Sequence, residues 1–212
     1  MEIIFPIVLV LIFVAAIAML GLEGLWGNAI ALVNVVTAAL VATNFWEPLS
    51  AWFLSKEPRG VYLWDFVSIW GIFIVTVVVM RLATDFLSRH RVRFPKLLDM
   101  IGGYFFAAWV GWVLICFTTF TLHTAPLARD FLAGGFKPES AMFFGLGPDR
   151  QWMGFMQKMS QGSFSRGVDA AEPEAHVFDP KGEYMVKYAS RRKLFEKNIG
   201  LMPGKVAPGA AP

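Results

Sequence analysis

The sequence predicts an all-α integral membrane protein, a four-helix transmembrane bundle followed by a short, partly helical polar C-terminal tail. Three observations carry that prediction. Hydrophobic residues make up 56% of the 212 residues and charged residues only 17%, whereas a soluble domain carries about 25% charged residues. The charges are unevenly spread: residues 1–123 hold seven Lys/Arg and seven Asp/Glu, and residues 124–212 hold twelve and nine. Within residues 1–123 lie four apolar runs, each long enough to cross a bilayer, which takes roughly 20 residues at about 1.5 Å each.

The first run, residues 3–22, contains no charge. Ala16-Ile17-Ala18 resembles a signal-peptide cleavage site, but the positive start of a signal peptide is replaced by Met1-Glu2, so a retained span is expected. Pro6 falls in its first turn, where a missing N–H costs little. The second run, residues 24–46, is also uncharged, and Gly21, Gly24 and Gly27 around Glu23 allow a tight turn between the two. The third, residues 60–82, carries Asp65 as the only charge between Gly60 and Met80. The fourth, residues 100–122, is uncharged. Trp26, Trp46, Trp52, Tyr62 and Trp64 fall near the span ends, where amphipathic rings suit the headgroup layer. Trp109 and Trp112 fall mid-span and are expected to pack or face lipid. Residues 124–212 form the expected tail.

Lipid gives helices no hydrophobic reason to associate, so packing must come from close backbone approach. Gly103, Ala107 and Gly111 recur at four-residue spacing on span four, and Ala38 and Ala42 do so on span two. Span two also carries Asn28, Asn34, Thr37, Thr43 and Asn44. An amide in hydrocarbon needs a partner, so Asn34 is expected to bond a neighbouring helix; the alternative is a polar path. Asp65, Arg81, Asp85, Asp99 and His123 all lie near span ends. Asp65 is the deepest carboxylate. Asp65, Asn34 and Asp99 are the candidate functional polar groups.

Arg89, Arg91, Arg93 and Lys96 crowd the connection between spans three and four. Such clusters favour the cytoplasm, which sets both termini outside. In the tail, Pro148–Ser160 reads as a helix with Asp149 as N-cap and Trp152, Phe155, Met156 and Met159 as an apolar stripe. Gly182–Asn198 reads as a second helix, with Tyr184, Tyr188 and Phe195 among Lys187, Arg191, Arg192, Lys193 and Lys197; its basic residues are expected to be a solvated face rather than a lipid- or partner-binding one. The last ten residues or so are low-complexity and expected to be disordered.

The lone cysteine, Cys116, excludes an intramolecular disulfide and a Cys-based metal site, and is expected to be a buried, inert thiol. There is no phosphate-binding GxxxxGK[ST] loop, dinucleotide-type GxGxxG, HExxH or GxSxG. No catalytic residue, cofactor site or metal site is therefore expected, nor any enzymatic activity. The net charge of +3 is too small to argue for nucleic acid.

Three stretches resemble a known family. They are Glu23-Gly24-Leu25-Trp26-Gly27-Asn28 with the apolar helix after it, Val41-Ala42-Thr43-Asn44-Phe45-Trp46-Glu47-Pro48, and Asp99-Met100-Ile101-Gly102-Gly103 running on to Gly111. Together with the four-span layout over about residues 1–125, they are similar to the colicin V production protein family of bacterial inner-membrane proteins. Glu23, Gly24 and Gly102 are the family-like positions. The chain departs from the pattern at Phe5-Pro6, where relatives often carry Asp, and at Glu23, where they often carry Arg.

The resemblance implies a multi-pass inner-membrane protein with a role in toxin (colicin V) production or secretion, or in envelope maintenance. On this reading the chain acts as an accessory or scaffold, with the lipid bilayer, a second copy or an envelope protein as partner. The alternative is a small oligomeric channel or transporter with Asp65 and Asn34 along its path.

Overall fold

The computed structural model describes residues 3–88, 92, 94–127, 136, 142–165 and 177–197. The described residues form six α-helices and no strand: α1 (Ile4–Leu20), α2 (Gly24–Lys56), α3 (Trp64–Leu87), α4 (Lys96–Leu122), α5 (Pro148–Ser160) and α6 (Tyr184–Lys197). A 3-10 turn, Pro58–Gly60, joins α2 to α3. The cationic residues Arg89, Arg91 and Arg93 and the low-complexity C-terminal end lie outside the described residues.

Three helices, α2, α3 and α4, are long and apolar enough to cross a membrane. The first apolar run yields a shorter helix than expected, α1 with 17 residues, because the chain turns at Gly21-Leu22-Glu23. Gly24 makes that turn with φ +81°, a left-handed conformation that side chains disfavour. Helix α2 is longer than expected. It runs ten residues past Trp46 to Lys56, with Pro48 inside it. Proline removes one backbone donor, but packing carries the helix through: the Phe53 ring stacks on Trp64 of α3 at 4.9 Å between centroids.

Helix α2 is the spine, packing on α3 along one side and α4 on the other, while α1 and α5 pack on α4. Ala38, Ala39 and Ala42 of α2 are fully buried. Their small side chains admit an aromatic core of Phe73, Phe117, Phe120 and Trp152, with Phe117 and Trp152 edge to face at 5.7 Å. Outward faces of α1, α3 and α4 are apolar and exposed, Leu11, Val75, Val79, Leu82, Ile101 and Phe105 among them. A water-facing surface of that composition is unusual for a soluble protein; in lipid it is the required one.

Small residues sit at the closest helix contacts. A Cβ on Gly103 would lie 3.1 Å from the Gly24 backbone, and one on Gly111 would lie 2.9 Å from the Phe13 ring. Ala107 between them is fully buried. The Gly103–Ala107–Gly111 groove of α4 thus seats α1 and the start of α2. Gly102 faces Leu25, whose side chain fills the space a Cβ would take.

The tail helices share the core of the spans. Trp152 and Met156 of α5 and Tyr184 and Tyr188 of α6 are buried in the same cluster as Phe117 and Phe120. Tyr184 stacks on Phe120 at 4.9 Å, and the Trp152 indole donates to Thr43 Oγ1 of α2 at 3.1 Å.

Candidate functional site

Polar side chains gather at the two ends of the bundle, about 37 Å apart along α2 between Leu25 and Ser50 at about 1.5 Å per residue. At the tail end, Asp65 stands buried in the first turn of α3. It accepts hydrogen bonds from Ser50 Oγ of α2, from the Tyr188 hydroxyl of α6 at 3.0 Å, and from the Arg191 guanidinium, with which it forms an ion pair. Arg191 also donates to the Val61 carbonyl. One carboxylate therefore ties three helices. Burial pushes the Tyr188 phenol well above its ordinary range, and Tyr184 and Asp65 push it further. Tyr188 stays protonated and serves Asp65 as a donor.

Nearby, His123 at the end of α4 meets Asp149 of α5, Nε2 to Oδ2 3.0 Å, both side chains essentially buried. This corrects the expected role of Asp149 as the N-cap of α5. The α5 N-cap is Gly147, at φ 56°, and Asp149 is turned inward to the imidazole instead of capping. A buried partner outcompetes a backbone N–H that water can serve. The expected solvated face of α6 is corrected for two of its residues, while Lys187 and Lys193 are exposed. Arg191 is bound to Asp65, and Arg192 is buried with its guanidinium 4.9 Å from the Phe136 ring centroid. Asp179 makes the turn into α6, its Oδ1 accepting from the Glu183 and Tyr184 amides at 2.7 and 3.1 Å.

At the hairpin end the charges are more exposed. Glu23 pairs with Arg81 of α3 at 3.2 Å, and Arg81 reaches Asp85 at 3.5 Å. Asp99 of α4 accepts from the Leu25 amide at 2.8 Å, so it caps α2 from another helix. Asn28, fully buried, donates to the Leu20 carbonyl at 2.8 Å and the Gly103 carbonyl at 3.0 Å, bolting α1 and α4 to α2. Asn34 donates to Thr84 Oγ1 of α3 at 3.0 Å. A cleft of about 760 Å³ opens here, lined by Glu23, Arg81, Asp85 and Asp99 among others.

Of the three candidate polar residues, Asp65 stands at the tail end, Asp99 at the hairpin end, and Asn34 between them nearer the hairpin. They do not converge. His123 shares the tail end with Asp65, yet each is engaged by its own partner. Among the described residues no group of three or more His, Cys, Asp and Glu could hold a metal. Sequence reasoning missed Tyr188 and Arg191 as the partners of Asp65. Their i, i+3 spacing puts both on one face of α6, which was the available signal; nothing linear connects that face to position 65.

The sequence pattern of the family described as Colicin V production protein matches residues 5–141, more than half of the chain. No curated protein and no solved structure matches it.

Proposed function

The chain belongs to the colicin V production protein family, and from that premise we propose that it is a non-enzymatic, multi-pass inner-membrane protein acting as a scaffold or accessory in toxin production and export or in envelope maintenance. In this reading α1 is a fourth span. Its 17 residues are at the short end of the spanning range, it carries no charge, and its outward face from Ile3 to Met19 is apolar. The cationic connection between α3 and α4 lies in the cytoplasm, and both termini lie outside.

One observation carries the scaffold reading: buried polar side chains at both ends of the bundle join one helix to another. Asn28 joins three, Asp65 joins three, and Asp99 caps a neighbour. Between the two polar ends the core is aromatic, with the Phe73 and Phe117 rings 4.6 Å apart. A rigid body with apolar flanks suits holding partners in the bilayer. Crosslinking in intact membranes is expected to recover a second copy or an envelope protein; recovery of the chain alone sinks the scaffold. An enzymatic or fluorescent fusion at Pro212 reports the side of the tail.

The channel reading draws support from Asn34 Oδ1, Trp46 Nε1 and Ser68 Oγ, three buried polar atoms without a hydrogen-bond partner among the described residues. Liposomes that pass no ions or protons, with no change on Asp65→Asn, eliminate that reading.

A further inference from the structure

The cleft at the hairpin end has a mixed lining. Arg81 stands at its centre, with Nη2 on Glu23 and Nε on Asp85. Among the described residues Nη1 forms no ion pair, and a guanidinium has five N–H groups to give. Three carboxylates, Glu23, Asp85 and Asp99, share the described lining with this one guanidinium. Acceptor capacity for a further cation remains, beside a donor for an anion.

The floor of the cleft belongs to α2. Gly27, Ile30 and Ala31 of α2 line it, and the next turn on that face brings Asn34. Asn34 is 2% exposed, its Nδ2 is held by the cleft residue Thr84, and its Oδ1 has no donor. A buried amide oxygen left so is costly; it lies beneath the lining, one turn along α2 from Ala31.

The position of the cleft points to the kind of molecule that reaches it. It opens at the ends of apolar helices. Trp26, whose indole donates to Ser88 Oγ at 3.0 Å, forms part of its wall and suits the headgroup layer. Below it the exposed Val78, Leu82 and Phe86 of α3 offer an apolar track.

We propose that the cleft holds a phospholipid headgroup in which a phosphate is joined to a primary ammonium, as in phosphatidylethanolamine. The phosphate oxygens accept from Arg81 Nη1. The ammonium donates to Glu23 and Asp85, and the acyl chains follow α3. A quaternary ammonium has no N–H to give, and the aromatic cage that would hold one is lacking, since Trp26 and Phe94 are the aromatic residues of the described lining. A purely anionic headgroup would add its charge to three carboxylates that the described lining sets against one guanidinium. The inference rests on the membrane reading above and adds a ligand to it.

Native mass spectrometry of the purified full chain in mild detergent, with added phosphatidylethanolamine, phosphatidylcholine or phosphatidylglycerol, tests the assignment. The ethanolamine lipid is expected to stay bound under activation that strips the other two. Glu23→Gln with Asp85→Asn is expected to lower its retention about tenfold, the factor set by a lost charge-assisted hydrogen bond. Asp85→Asn alone, at an exposed position, guards against misfolding and is expected to act in the same direction, with an unchanged circular dichroism spectrum.

Equal retention of the three lipids, or retention indifferent to both variants, overturns the proposal. Binding of free phosphoethanolamine as tightly as the lipid overturns the membrane source of the ligand. A failed membrane reading shows up elsewhere, as chain left in the supernatant of detergent-free centrifugation; a failed lipid site leaves the chain in the membrane fraction.

Discussion

The two ends of the bundle use the same chemistry under different solvent conditions. At the hairpin end, Glu23 and Arg81 are 34% and 46% exposed and meet in an open cleft. At the tail end, Asp65 and Arg191 are 9% and 26% exposed and are covered by α6. An exposed pair is screened and contributes about 0–1 kcal/mol. A covered pair contributes little more when intact, because desolvation offsets attraction, but removing one partner strands a buried charge. The hairpin end can therefore exchange partners cheaply, and the tail end cannot. The first suits binding and the second suits holding.

That contrast is tested most severely at Arg191. Arg191→Ala leaves Asp65 buried with only hydroxyl donors and is expected to destabilise the protein by about 3 kcal/mol, the low end of the range for a broken buried pair given the partial exposure of Arg191. It should also free α6, so limited proteolysis should remove the tail well before the spans. A tail as resistant as in the wild type makes the two ends equivalent.

A smaller effect is expected at the groove that joins the hairpin to α4. Gly103→Ala puts a methyl group against the Gly24 backbone, which no side-chain rotation relieves, and overpacking of this kind costs about 1–3 kcal/mol. Gly154→Ala, where a Cβ meets nothing within 4 Å, is the matched control and should not lower the detergent melting temperature.

High pH discriminates in a third way. Burial holds the phenols of Tyr184 and Tyr188 well above their ordinary value, near 10. A folded pKa raised above the unfolded one leaves stability intact below about pH 10 and erodes it as pH climbs beyond. Phenolate absorbance should thus appear late, together with detachment of the tail. Early, independent ionisation of all four tyrosines would remove the tail seat. The smallest change is expected from Glu23→Gln, less than about 1 kcal/mol in stability, since Asp85 keeps hold of Arg81.

The legibility of these features from sequence differs by kind. The apolar faces, the Gly103–Ala107–Gly111 groove and the hairpin at Glu23 could all be read, because each depends on neighbours within a few turns. The α5 limits, Pro148–Ser160, were read to the residue. The role of Asp149 was not: a residue two positions into a helix after Gly147-Pro148 reads as a local cap, and only the arrival of His123 from α4 redirects it. Asp65 was singled out for its depth, yet its partners lie 15, 123 and 126 residues away.

By itself the sequence determined that this chain is helical, too apolar for water, and built to pack through small residues, because composition and periodicity act over one or two turns and need no knowledge of the fold. The tertiary structure alone decided that the tail is part of the core, that Asn28 bolts three helices and that one end is closed and the other open. Those outcomes depend on which polar groups lose water together. Desolvation is a property of the assembled surfaces, and no stretch of chain carries it alone.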